Sequence, residues 1–294
     1  MHVVLDVVIA QYLSQYDLNI SYRKYLSYFV SNKSLEYLMK QKFLCSPIVS
    51  VVDKACADRF EAIIGCMYYY LYDIQNTDDA IVNIAIWYDK TFDINTLFQN
   101  AMSIMFGKNM DPEIYKFKYN EKFTVTFPYQ TNNRHITNII KNLAIDLPGS
   151  EKIPIEFSEI AYRQFDSKVA TALVNKYGFS SNHMFVFLGS IIFKLLLTNE
   201  VIDLIGNYQI KTSYQAHILR EKLSDPSLLL ILAKTIGSNN VEIVYAFLGL
   251  MYYYFYVFEK SPTAFQRIDS WFIKSWLPIL KNTQIPVVFP NPMK

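Results

Sequence analysis

Apolar residues recur at three- and four-residue spacing along most of the chain, the pattern of helices that bury one face. Val3 to Leu13 is apolar nearly all round and predicts a buried helix. Polar Ser14 to Ser21 separates it from helices predicted at Tyr22 to Val30 and Ser34 to Lys42, the second capped by Ser31 or Asn32. Cys45 to Asp53, with Pro47, reads as a connector into a central helix, Asp58 to Tyr72. Thr77 then caps a helix carrying Ile81, Ile84 and Trp87, and Ile94 to Phe106 follows. Between Gly107 and Gly149 the pattern alternates around Pro112 and Pro128, predicting a short hairpin or extended linker, with a helical turn or two at Asn138 to Leu143. Beyond it helices are expected at Ser158 to Lys176, Met184 to Asn199, Gln215 to Leu223, Ser227 to Thr235 and Glu242 to Tyr256. A Ser261-Pro262 cap opens one more, carrying Phe265, Ile268, Trp271 and Phe272, and the tail from Gln284 reads as extended. The predicted fold class is all-α.

The central helix is written twice. Asp58 to Tyr72 reads DRFEAIIGCMYYYLY and Glu242 to Tyr256 reads EIVYAFLGLMYYYFY, so Gly65, Met67 and Tyr68 to Tyr70 match Gly249, Met251 and Tyr252 to Tyr254. Copies this far apart mean two like domains and not a solenoid. The expected division is 1–107 for the first domain, 108–150 for the linker and 151–294 for the second, a split that suits 294 residues. Helical spacing places Ala62, Ile63, Cys66, Met67 and Tyr70 on a broad apolar surface, with Gly65 admitting a close backbone. Asp58 and Glu61 share one face at the start of this helix. Two carboxylates there suit a magnesium site, or they complement the helix dipole. The second copy keeps an acid at Glu242 and replaces Glu61 by Tyr245.

A formal net charge of +2 without a long basic run excludes nucleic-acid binding by bulk charge, so any such binding needs a local basic face. The candidates are Arg23 and Lys24 in the first half and His217, Arg220 and Lys222 in the second; the bland alternative is a solvated helix face. Cys45, Cys56 and Cys66 lack paired zinc spacing, and an odd count without a secretory leader points to free thiols in a reducing compartment, cytoplasmic or mitochondrial. The run Ile243 to Phe258 falls short of the ~18 to 20 residues that spanning requires, so a soluble intracellular protein without a membrane partner is expected. Three consecutive tyrosines point three ways around a helix, which suits core or interdomain packing better than base stacking.

Ordered along the chain, these segments resemble the nuclease domain of the ribonuclease III family. ADRFEAIIGCMY, residues 57–68, resembles the family element in which an Asp and a Glu three residues later precede a Gly-containing helix. LSYFVSNKSLEYL, residues 26–38, resembles the Ser-Asn stretch preceding it. In the second half, NHMFVFLGSIIFKLLLTNEV, residues 182–201, resembles the element in which a Glu and an Asp flank a Phe-Leu-Gly core, and ILREKLSDPSLLLILAKTIG, residues 218–237, resembles the next segment.

The resemblance implies two helical nuclease-like domains packed as an intramolecular pseudo-dimer. It also implies four carboxylates per site, holding magnesium that activates water against double-stranded RNA. Those carboxylates are incomplete here. Asp58 and Glu61 match, but His2 stands where an Asp is expected, and the partner Glu would lie before the chain begins. In the second domain His183, Ser190 and Tyr245 replace Glu, Asp and Glu, leaving Glu242. Neither set suits the family's metal, since magnesium sites rest on carboxylate charge. No double-stranded-RNA-binding domain is expected after Phe258.

The expected protein is therefore a catalytically degenerate relative without a cofactor. It would serve as an RNA-associated scaffold or regulatory subunit of a ribonucleoprotein, as degenerate members do in mitochondrial ribosomes and RNA-editing complexes, with structured or double-stranded RNA and proteins as partners. The alternatives are a double-stranded-RNA endonuclease using magnesium and completed by a partner chain, or a protein-binding module without RNA.

Overall fold

The structure, a computed structural model, describes residues 2–16, 18, 21–42, 54–106, 182–207, 212–235 and 237–288. The described residues are mostly helical and contain no strand, as the periodicity predicts. They fall into two compact units, one holding 2–106 and the other 182–288. The expected linker at 108–150 and the helix at Ser158 to Lys176 lie outside the described residues.

The first unit comprises α1 (His2–Leu13), α2 (Tyr22–Phe29), α3 (Asn32–Gln41), α4 (Lys54–Tyr69), α5 (Ala80–Thr91) and α6 (Ile94–Phe106). Apolar nearly all round, α1 can be stable only at the centre. Leu5, Val7, Ile9 and Leu13 are fully buried there, and α2, α4 and α5 pack on it. Its last turn joins an aromatic cluster in which Tyr12, Tyr25 and Phe29 surround Phe98 of α6 at centroid separations of 5.6 to 6.4 Å. The Tyr12 phenol donates to Asn95 at 2.9 Å, and burial pushes its pKa up, helped by Tyr16, Asp89 and Asp93. Ser31 caps α3 as predicted, accepting from the Ser34 N–H at 3.3 Å.

The second unit comprises α7 (His183–Gly206), α8 (Ser213–Leu223), α9 (Pro226–Thr235), α10 (Val241–Tyr253), α11 (Ala264–Ser275) and α12 (Leu277–Val288). Its centre is the crossing of α7 and α10, where Gly189 meets Gly249. A Cβ on Gly189 would fall 1.7 Å from the Tyr245 carbonyl oxygen, and one on Gly249 would fall 2.0 Å from that of Phe185. Each glycine thus faces the carbonyl of the residue one helical turn before the other, a reciprocal approach that only two missing side chains permit. By length and composition α7, and α10 with the turn that follows it, could cross a membrane, yet 78% and 61% of their apolar windows are buried inside the protein. The structural helix Val241–Phe258 is thus longer than the uncharged run suggests.

The duplication extends well beyond the Met-Tyr-Tyr-Tyr motif. Both copies widen at the same register into a π turn, Tyr70–Ile74 and Tyr254–Phe258. Both turns close with a residue at φ 50°, Asn76 and Lys260. The Gln75 and Glu259 N–H groups donate to the Tyr70 and Tyr254 carbonyls at 2.9 and 3.0 Å. Tyr68 stacks on Tyr72 at 5.1 Å, and Tyr252 on Tyr256 at 5.7 Å. The next helices, α5 and α11, have the same length of 12 residues. What differs is the bracing, for the second copy adds an Arg267–Glu259 ion pair at 2.8 Å and sets Arg267 over the Phe255 ring at 3.8 Å.

Three local expectations are corrected. Thr77 and Ser261 do not cap by their side chains; each offers its carbonyl to an N–H, of Ala80 and Ala264, because the π turn delays the helix start. The tail is helical as far as Val288, with Pro278 in the first turn of α12, where its missing N–H costs nothing.

The glycine crossing predicts a sharp asymmetry. Gly249→Ala is expected to cost at least the upper end of the roughly 1–3 kcal/mol typical of overpacked cores. Gly206→Ala, with nothing within 4 Å of its added Cβ, should be neutral or gain up to about 1 kcal/mol. Urea unfolding of the two variants measures the difference.

Candidate functional site

In the first unit, α4 begins at Lys54, so Asp58 and Glu61 lie beyond its first turn, where the helix dipole has little effect. This corrects their expected place at the helix start and removes the dipole reading. Asp58 is exposed and Glu61 half-buried. The buried side of α4 is Cys56, Ala57, Phe60, Ile64, Gly65 and Tyr68. Ala62, Ile63, Cys66 and Tyr70, expected on a buried surface, are exposed. In the second unit the matching residues Ala246, Phe247 and Leu250 are buried, because the first half of α7 lies across them. Cysteine usage also departs from expectation. Cys56 is disulfide-bonded to a partner outside the described residues, whereas Cys66 is free.

Glu242 occupies the place of Asp58 but is held differently. It lies in the first turn of α10, and its N–H donates to the Asn240 side chain at 3.0 Å, so its charge complements the helix dipole. Tyr245, in the place of Glu61, presents its carbonyl to Gly189 and its ring edge-on to Phe193 at 5.9 Å. Ser190 is buried and donates its hydroxyl to the Phe187 carbonyl at 2.7 Å, a bond within its own helix. His183 is exposed at the first position of α7, and the side chain of His2 lies outside the described residues. Among the described residues no three His, Cys, Asp or Glu side chains gather where they could hold a metal ion.

The basic candidates lie on equivalent helices. Val30 donates to Leu26 and Ser31 to Tyr28 between α2 and α3, and Ser224 donates to Arg220 and Asp225 to Lys222 between α8 and α9. That register sets Arg23 opposite His217, with Leu26 and Tyr28 where Arg220 and Lys222 stand. The two clusters are therefore not symmetric residue by residue, although Arg23, Lys24 and His217 are all exposed. Arg220 lies 3.5 Å from Glu221 and 3.5 Å from the His217 ring, interactions that water and salt easily replace.

Periodicity alone misses the pairing of Gly189 with Gly249 and both π turns. The signal for the first is present in the Phe-Leu-Gly carried by each of the two crossing helices, Phe187 to Gly189 and Phe247 to Gly249.

Compared with known proteins, the chain matches no family model, no curated protein and no solved structure.

The two acids predict different thermal behaviour. Asp58→Asn should leave stability within about 0.5 kcal/mol, as for an exposed residue outside any cap. Asn240→Ala should cost about 1 kcal/mol by removing the cap beneath Glu242. Thermal melts followed by circular dichroism check both.

Proposed function

We propose that this chain is a duplicated, catalytically degenerate ribonuclease-III-like protein that serves as an RNA-associated scaffold or regulatory subunit of a ribonucleoprotein. The observation carrying this reading is the fate of the acid positions in the second unit. Tyr245 and Ser190, which stand where the resemblance calls for carboxylates, take part in packing and internal hydrogen bonding. Neither residue supplies the negative charge that magnesium requires. The first unit keeps Asp58 and Glu61, and among the described residues no third His, Cys, Asp or Glu joins them.

RNA binding is assigned to Arg23 and Lys24 on α2 and to His217, Arg220 and Lys222 on α8. Basic side chains of this kind grip phosphates and not bases, so binding is sequence-tolerant and falls with salt.

The test combines cleavage and binding. The full chain with magnesium or manganese should leave a long RNA duplex intact while binding it at low salt. Arg23→Glu combined with Arg220→Glu should weaken binding and lower the log-log salt slope by roughly 0.9 for each phosphate that is no longer neutralised. Cutting that disappears on Asp58→Ala overturns the degenerate reading in favour of a nuclease. Absence of duplex binding at low salt overturns the RNA assignment and leaves a protein-binding module.

A further inference from the structure

The paired helices α2 and α3 carry more positive charge than the whole chain. Between Ser21 and Lys42 stand five basic residues, Arg23, Lys24, Lys33, Lys40 and Lys42, and one acid, Glu36, a local net of +4 against +2 for all 294 residues. Glu36 is buried and paired with Lys40 at 2.6 Å, so it presents little negative charge to the surface. Arg23, Lys24, Lys33 and Lys42 are exposed.

This charge surrounds an aromatic ring. Lys33, Tyr37 and Lys40 follow the four-then-three spacing of one helix face, opposite the buried Leu35, Leu38 and Met39. Tyr37 is 42% exposed, and among the described residues its side chain makes no hydrogen bond or ring contact. Tyr28 lies near it across the turn between the helices; burial first, and then Tyr37, raise the pKa of its phenol. The turn is fixed, because the Tyr28 carbonyl accepts from the Ser31 N–H at 3.2 Å and from the Ser31 and Ser34 hydroxyls at 2.8 and 2.6 Å. The second unit keeps the turn without these side chains. Leu35 and Leu229 donate to the Ser31 and Asp225 carbonyls, and that register puts Ser227 and Ile231 where Lys33 and Tyr37 stand. The shared fold therefore requires neither the lysine nor the tyrosine.

We infer that α2 and α3 bind an unpaired RNA strand, with one base stacked on the Tyr37 ring and the adjoining phosphates held by the four exposed cations. A bare ring among positive charges serves both parts of a single strand, the face of a base and the backbone. A duplex keeps its bases stacked inside and gains from the charges alone. The inference rests on the RNA-associated reading and narrows its ligand to unpaired segments.

The test uses the full chain and three labelled probes: an oligouridine of roughly 12 nucleotides, an abasic strand of equal charge, and an RNA duplex. Fluorescence anisotropy across a salt series reads affinity. Oligouridine should bind roughly tenfold more tightly than the abasic strand, the contribution of one stacked base. Tyr37→Ala should remove about that tenfold and leave the abasic strand and the duplex unchanged, whereas Tyr37→Phe should keep the wild-type value. Lys33→Glu should weaken both single strands and lower their log-log salt slope by roughly 0.7 for each phosphate released. Both side chains are exposed, so each variant should fold, which circular dichroism checks. Equal affinity for oligouridine and the abasic strand overturns the inference and leaves an anion-binding surface only. So does a Tyr37→Ala variant that binds oligouridine like the wild type. If in that event the duplex still binds and responds to Arg220→Glu, the RNA-associated reading survives the loss. If no probe binds at low salt, both fall together.

Discussion

The second unit depends on the meeting of two backbones at Gly189 and Gly249. A carbonyl oxygen 1.7 to 2.0 Å from where a Cβ would stand leaves no room for any other residue in either helix. That closeness lets a long apolar helix and its duplicated partner bury one another and seals Ala246, Phe247 and Leu250 inside. It also limits the chemistry available at the crossing. Tyr245 lies on it by backbone and ring, and Ser190 is inside the same helix pair with its hydroxyl already bonded. A carboxylate in place of buried Ser190 would be a charge beside the Phe187 carbonyl, costly without a cation to compensate, whereas Tyr245 is half-buried. At Ser190 substitution and packing therefore point the same way, towards core where the resemblance would place a metal ligand.

The first unit repeats the helix and not its cover. The π turn, the residue at φ 50° and the stacked tyrosine pair recur at matching positions. These features follow from local sequence, and local sequence is what the two copies share. Burial of the outer face depends on a neighbour, and there the copies part, with Cys66 exposed and Leu250 buried. Identical turns under different cover separate what a motif encodes from what its surroundings supply.

Most helices are legible in the sequence because periodicity reports an apolar face directly; the predicted Ile94 to Phe106 coincides with α6. Periodicity does not report what lies against that face, so it assigns Ala62, Ile63, Cys66 and Tyr70 to a buried surface that α4 does not have. Helix starts shift where the π turn delays them, since a change of hydrogen-bond register leaves no mark in the spacing of apolar residues. Asp58 and Glu61 are legible as members of the right helix but not of the right turn, because the helix begins at Lys54, before the apolar pattern becomes regular. The sequence offers a basic cluster in each half, whereas the backbone register pairs only Arg23 with a basic counterpart, His217.

The central question is whether the remaining acids still hold a metal. Calorimetric titration of the full chain with manganese, which takes the same oxygen ligands as magnesium, asks this without relying on a cleavage assay. The degenerate reading predicts no saturable heat at submillimolar metal, and no difference between the wild type and Asp58→Ala. A saturable site of defined stoichiometry that vanishes in Asp58→Ala would contradict the degenerate reading and show that the first copy retains a working metal centre.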